Sequence, residues 1–230
     1  MTSQQIDLVL PVYNPQKGWL EYVQEKRKAL SIACDNTVRL IIVDDGSSEM
    51  LEAQKIQTSP DIELVRLPKN QGKGAALRRG FEKANAPIVL FTDIDFPYEI
   101  ASMVQVAHSI ENGADVSLGY REDDYYARVP WFRKLLSESF RFVLKTILRF
   151  PITDTQCGLK GMSQRGKSIF LQTKIKRFLV DMEFIKRAVK SKEVKIEPVI
   201  VQLREDVLFS KMGIRVIAGE LVNFIRVFFV

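Results

Sequence analysis

The stretch Ile88-Val89-Leu90-Phe91-Thr92-Asp93-Ile94-Asp95-Phe96-Pro97 decides how the chain is read. Four apolar residues, mostly β-formers, predict a buried strand, and the run ends in two carboxylates spaced i, i+2. In an open α/β sheet, ligands bind in the crevice beyond the carboxyl ends of the strands. Asp93 and Asp95 are therefore placed to meet a hard cation and its phosphate partner. A pair of oxygen ligands with open positions suits Mg2+ or Mn2+ bound together with substrate phosphates. On its own the pair would equally be an acidic turn from strand to loop, so the rest of the chain has to decide.

Outward from this stretch, strand and helix alternate. Apolar runs at 6–12, 38–43, 62–67, 88–92 and 116–119 read as strands. Segments 20–33, 49–57, 74–85 and 97–112 read as helices. This order predicts an α/β fold, a single Rossmann-like domain with a mostly parallel sheet, helices on both faces and right-handed crossovers. Polar loops follow the strands at Pro11-Val12-Tyr13-Asn14-Pro15, Asp44-Asp45-Gly46 and Asp93-Ile94-Asp95. One crevice would collect all three.

The chain of 230 residues, 46% hydrophobic, is long enough for one substantial core. Its net charge of +6 is compatible with nucleic acid, an anionic membrane surface or phosphorylated substrates. Two cysteines without a CxxC spacing, and a single histidine, argue against zinc and disulfide frameworks and fit a reducing cytoplasm. The amino terminus lacks the pattern of a signal peptide, and no uninterrupted apolar run is long enough to span a bilayer.

The second half changes character. Between 127 and 150, Trp131, Phe132, Leu135, Leu136, Phe140, Val143, Leu144, Ile147 and Leu148 form an apolar helical stripe. Lys134, Arg141, Lys145 and Arg149 line much of the other side. Such a helix either lies on a membrane surface or packs on the core with a solvated basic face. Residues 214–230 repeat the wide apolar face, broken by Arg215, Glu220, Asn223 and Arg226. Two such helices favour membrane apposition.

Gly72-Lys73-Gly74 fits neither a Walker A loop nor a dinucleotide fingerprint. What remains is close backbone approach and a lysine at a helix amino terminus, or simply a tight turn. Asp44-Asp45-Gly46-Ser47-Ser48 is either a strand-ending turn with a serine cap or an acceptor for a nucleobase N–H.

Taken together and in order, Val43-Asp44-Asp45-Gly46-Ser47-Ser48, Asn70-x-Gly72-Lys73-Gly74-x-Ala76, Gly80 and Thr92-Asp93-x-Asp95 resemble a family-2 glycosyltransferase of the GT-A fold. Gly119-Tyr120-Arg121, Arg133-Lys134-Leu135-Leu136-Ser137 and Asp154-Thr155-Gln156-Cys157-Gly158-Leu159-Lys160 narrow the likeness to the polyprenyl-phosphate (dolichyl-phosphate) mannose and glucose synthases, the last segment being nearest the glucose synthases. The resemblance covers about residues 5 to 211. It implies a transferase domain over 1–211, with a nucleotide-sugar half over 1–120 and an acceptor half over 121–211 that includes an interfacial helix near 128–150; an amphipathic helix over 212–230 follows.

The same resemblance implies roles for residues. Tyr13 and Asp45 would hold the donor's nucleobase, Asp45 through a base N–H, and Pro11, Asn14, Gly72, Lys73 and Lys211 would also bind the donor. Asp93 and Asp95 would bind Mg2+ or Mn2+ on the diphosphate, while Arg121 and Arg133, with Ser137 nearby, would engage the acceptor phosphate. Two departures stand out. Pro15 replaces a common glutamate after Asn14, and Pro97 stands where some relatives supply a third metal ligand.

The implied reaction moves a hexose from a nucleotide-sugar such as UDP-glucose or GDP-mannose to a polyprenyl phosphate at the cytoplasmic membrane face, with inversion. A phosphate acceptor is already an anion and needs arginines to position it rather than a base to deprotonate it. That fits a chain whose one histidine, His108, lies in a predicted helix as a structural or solvated residue. Cys157 has nothing beside it to activate a thiolate. Asp181 and Glu183 are either helix-capping groups or an acid near the sugar. The rival readings are transfer to a glycan hydroxyl, which needs such a base, and a non-catalytic nucleotide-sugar or membrane-surface binding protein. No nucleic-acid partner is expected, because no recognised motif appears and the basic residues sit among apolar ones.

Overall fold

In a computed structural model the described residues are 4–48, 61–121, 150–152 and 154–206. They form β1 (Gln5–Val12), α1 (Trp19–Cys34), β2 (Thr37–Asp44), β3 (Ile62–Arg66), α2 (Lys73–Phe81), β4 (Ile88–Phe91) and α3 (Ile100–Glu111). β5 (Val116–Tyr120), β6 (Lys160–Met162), α4 (Gln164–Leu171), α5 (Val180–Ser191) and β7 (Ile196–Ile200) follow. The expected helices at 49–57 and 212–230, and that at 128–150 apart from Phe150, lie outside the described residues, as do Arg133, Ser137 and Lys211.

The strands make one sheet in the order β3-β2-β1-β4-β6-β5-β7. β1 runs parallel to β2 and β4, β2 to β3, and β5 to β7. The expected mostly parallel sheet is therefore present, with one addition: β6 lies antiparallel between β4 and β5. Lys-Gly-Met is too short and too polar to announce itself as a central strand. Its insertion also places both halves of the chain in one sheet.

Register carries the site. Val12 pairs with Asp44, and Val9 with Phe91, so the carboxyl ends of β1, β2 and β4 reach one edge. An antiparallel strand begins where its neighbours end. Lys160, the first residue of β6, thus faces Phe91, and the segment leading into β6 passes the same edge.

Side chains alternate across the sheet as the two-residue period requires. Val9, Ile41, Val43, Val89 and Phe91 face α2, α4 and α5, while Ile6, Leu8, Leu10, Leu40 and Leu90 face α1 and α3. Below the acidic turn, the Phe170 ring lies 4.6 Å from Phe81, 5.0 Å from Phe184 and 6.1 Å from Phe91. Fully buried Asp7 accepts two bonds of 2.8 Å from Arg39 and backbone bonds from Asn85 and Ala86 at 2.6 and 2.9 Å. Burying an anion is tolerated when its oxygens are satisfied in this way. The group ties β1 and β2 to the turn that feeds β4.

Candidate active site

A cavity of about 330 Å3 opens at the carboxyl edge of the sheet. Pro11, Tyr13, Asp45, Gly72, Lys73 and Asp93 line it, so three strand-end loops and the glycine turn meet there as expected. Asn70, Arg177 and Phe178 also line it, and none of these was singled out as a site residue from sequence. Arg177 and Phe178 lie just before α5 in an unremarkable stretch. Phe178 is 41% exposed and lines the same pocket as Tyr13, itself 52% exposed.

Asp45 is buried and its two oxygens accept from the backbone amides of Gln71 and Gly72 at 2.7 and 2.8 Å. Each carboxylate oxygen has two acceptor directions, so capacity for a nucleobase donor is left. Asn14 works behind the pocket, in the left-handed region at φ 47°. Its amide N–H donates to Ser47 Oγ at 2.9 Å, and its Oδ1 accepts from Ser48 N at 2.9 Å. It joins the loops after β1 and β2.

The glycine turn differs from a phosphate cradle. The amides of Gln71 and Gly72 are taken by Asp45, and that of Ala75 reaches Gly72 O at 2.9 Å and Lys176 O at 3.2 Å. A Cβ on Gly72 would meet Lys176 O at 2.5 Å, and one on Gly74 would meet Ile175 O at 2.5 Å. The glycines admit the 175–177 segment against α2. Cationic side chains, Lys73 and Arg177, rather than these amides supply positive charge to the pocket.

Lys73 Nζ lies 2.6 Å from Asp93 Oδ1. Burial pulls against the ammonium, but Asp93 and Asp181 outweigh it and hold the Lys73 pKa above its ordinary value. The other Asp93 oxygen packs against Gly158, where any Cβ would collide with it. Asp95 is exposed. Partial desolvation of its carboxyl by the surrounding protein, and then the nearby Asp93 charge, raise its pKa above the ordinary carboxylate range. Two hard oxygen donors carrying mutual repulsion fit a divalent cation, which would relieve it. Among the described residues no cluster of three or more His, Cys, Asp or Glu side chains could hold a metal, so substrate oxygens or water would complete the coordination.

Arg121 does not line the cavity. Its Nε and Nη2 donate to Asp154 at 2.7 and 2.8 Å, and its backbone N–H to the same carboxylate at 3.0 Å. Burial opposes the guanidinium charge, yet the paired Asp154 holds its pKa above the usual value. Asp154 thus holds the Arg121 guanidinium in place. Burial pushes the Cys157 thiol up, which removes it as a nucleophile.

Both acids of α5 are buried, and each faces a cation. Glu183 Oε2 accepts from Lys174 N and Ile175 N at 2.8 and 2.7 Å, and Oε1 from Arg187 at 2.9 and 3.0 Å. Asp181 Oδ1 lies 2.9 Å from the fully buried Lys160 Nζ. Lys160 in turn donates to the Cys157 carbonyl at 2.5 Å. His108 is on α3, 3.7 Å from Glu111 on the surface.

The family model described as Glycosyl transferase family 2 matches residues 7–168. A dolichyl-phosphate beta-glucosyltransferase of Dictyostelium discoideum is 28% identical over 207 residues, spanning 80% of this chain and 62% of that protein. The enzyme of the same name from Homo sapiens is 26% identical over 206 residues, with the same coverage. The chain therefore spans less than two thirds of these relatives' length. The fold is shared with glucosyl-3-phosphoglycerate synthase from Mycobacterium tuberculosis, solved with Mn2+, UDP-glucose and phosphoglyceric acid (TM-score 0.63, 18% identity, 98% of this chain and 78% of that one).

Proposed function

Because the chain belongs to glycosyl transferase family 2, we propose that it is a metal-dependent inverting hexosyltransferase acting on a polyprenyl phosphate at the cytoplasmic face of a membrane. The observation that carries the acceptor class is the engagement of both candidate bases. Glu183 accepts from four donor groups, and Asp181 faces the buried ammonium of Lys160. Neither residue lines the cavity, and each carboxylate faces a cation within the fold. A hydroxyl acceptor would need such a base, whereas a phosphate monoester attacks as an anion.

Asp93 and Asp95 would hold Mg2+ or Mn2+, which supplies Lewis-acid stabilisation to the departing diphosphate. Tyr13 and Asp45 orient the nucleobase in the pocket that Phe178 also lines. Lys73 and Arg177 meet the diphosphate, and Lys211 would add a further positive charge to it. Arg121, Arg133 and Ser137 hold the acceptor phosphate. Its oxygen forms the new bond to the anomeric carbon from the face opposite the leaving group. The bond to the diphosphate breaks with its electron pair, and no proton has to move. The names of the relatives and the 154–158 segment support glucose as the hexose, and UDP-glucose in the mycobacterial synthase supports a uridine donor. Among the described residues no helix is long and apolar enough to cross a membrane, and the basic amphipathic stretches at 128–150 and 212–230 support a peripheral attachment.

The test is incubation with a short polyprenyl phosphate, Mn2+ or Mg2+, and UDP-glucose, GDP-mannose or UDP-N-acetylglucosamine in turn. A glycolipid detected by mass with one donor, lost with Asp95→Asn, is the expected result. No glycolipid with any donor, or a product equally abundant with Asp95→Asn, would overturn the reading.

A further inference from the structure

The turn that presents Asp95 is held from behind by one side chain. Phe96 sits in the left-handed region at φ 45°, which an aromatic residue adopts only where its surroundings over-determine it. That conformation sends the Phe96 ring fully into the core while Asp95 stays at the surface. Arg204 covers the carbonyls this reversal exposes. Its Nη1 donates to Phe96 O at 3.1 Å and reaches Asp95 O at 3.4 Å, and its backbone N–H donates to Pro97 O at 3.0 Å. The same Nη1 donates to the Tyr22 hydroxyl, which donates onward to Asp95 O at 3.1 Å. Tyr22 also meets the Phe96 ring edge-on at 6.2 Å.

The guanidinium is itself oriented. Asp206 accepts from Nε and Nη2 at 2.9 and 2.7 Å, and the Tyr22 ring lies 5.6 Å below it. The backbone of 202–204 is pinned along the turn's exit, since Gln202 O accepts from Glu99 N at 3.0 Å and Gln202 N donates to Ser102 Oγ at 2.9 Å. Three successive carbonyls, from Asp95 to Pro97, therefore receive donors from Arg204.

We propose that Arg204, assisted by Tyr22, is a positioning residue that fixes the direction of the Asp95 carboxylate towards the cation of the acidic pair. The proposal rests on the metal-dependent reading above. Losing the guanidinium removes the side-chain donors to the Asp95 and Phe96 carbonyls, so Asp95 samples other directions and the site loses preorganisation for a divalent ion. Lysine restores one donor and the charge but not the planar fork.

The experiment measures Mn2+ binding from the loss of the free-ion EPR signal, with UDP present, for the full chain and for Arg204→Met, Arg204→Lys, Tyr22→Phe and Asp95→Asn. Thermal midpoints are recorded in parallel. The expected result is an affinity reduced about 10- to 100-fold in Arg204→Met, as for other residues that orient metal ligands. Arg204→Lys and Tyr22→Phe should fall between it and the wild type, with no matching order in the midpoints. Equal affinity in wild type, Arg204→Met and Tyr22→Phe would overturn the positioning role while leaving the metal reading standing. So would a loss that simply follows the midpoints. Should Arg204→Met not fold, Tyr22→Phe, which keeps the ring, decides between the same outcomes. Wild type that binds no Mn2+ through Asp95 would remove both.

Discussion

At the residue scale the acidic pair is asymmetric. Asp93 has a lysine on one oxygen and glycine backbone against the other, while Asp95 is at the surface, its pKa raised by partial desolvation and by Asp93. An acid raised in the folded state binds more protons there than in the unfolded chain. Stability therefore falls as pH rises from the unfolded pKa through the folded one. At neutral pH the ionised Asp95 weighs against the fold, so Asp95→Asn should keep or raise the thermal midpoint in calorimetry while turnover drops about 100-fold or more. A lower midpoint would assign Asp95 to the fold. Lys73 competes with a cation for Asp93. Lys73→Met should tighten Mn2+ binding in the absence of nucleotide, by about tenfold for a change of about 1.4 kcal/mol, and should weaken binding of a nucleoside diphosphate. Two titrations by calorimetry would read both signs.

At the element scale, the amino terminus of α2 is shaped by what packs on it. Gly74 leaves room for the Ile175 carbonyl, and Val180 lies 2.8 Å from where a Cβ would stand. Gly74→Ala should cost about 1–3 kcal/mol by overpacking, read by urea unfolding. It should also weaken donor binding, because Arg177 and Phe178 ride on the displaced segment. Gly72→Ala adds the strain of φ 98° and should cost more. That segment is held independently, by Glu183 at the amides of Lys174 and Ile175 and by Arg78 at Thr173 Oγ1 and Ile175 O. A gain in space cannot be had by letting it drift.

At the scale of the whole molecule, the two faces of the sheet divide the work. The face bearing α1 and α3 braces the exit of the acidic turn, and the face bearing α2, α4 and α5 carries the aromatic cluster beneath its entry. Phe170 touches Phe81, Phe91 and Phe184, so Phe170→Ala should cost about 3–5 kcal/mol in urea unfolding, with activity lost through stability rather than through substrate affinity. The sequence by itself determined the alternation of strands and helices, the edge at which the loops meet, and the acidic pair that follows β4. These follow from local periodicity and turn chemistry, which a short window of residues contains. Tertiary structure alone decided that β6 enters antiparallel beside β4, that Gly158 closes one side of Asp93, and that Lys73 takes its oxygen. It also brought Arg177 and Phe178 to the pocket and Arg204 behind Asp95. Each of these contacts joins residues far apart in the chain through strand register and close packing, and no local pattern encodes which distant partner will arrive.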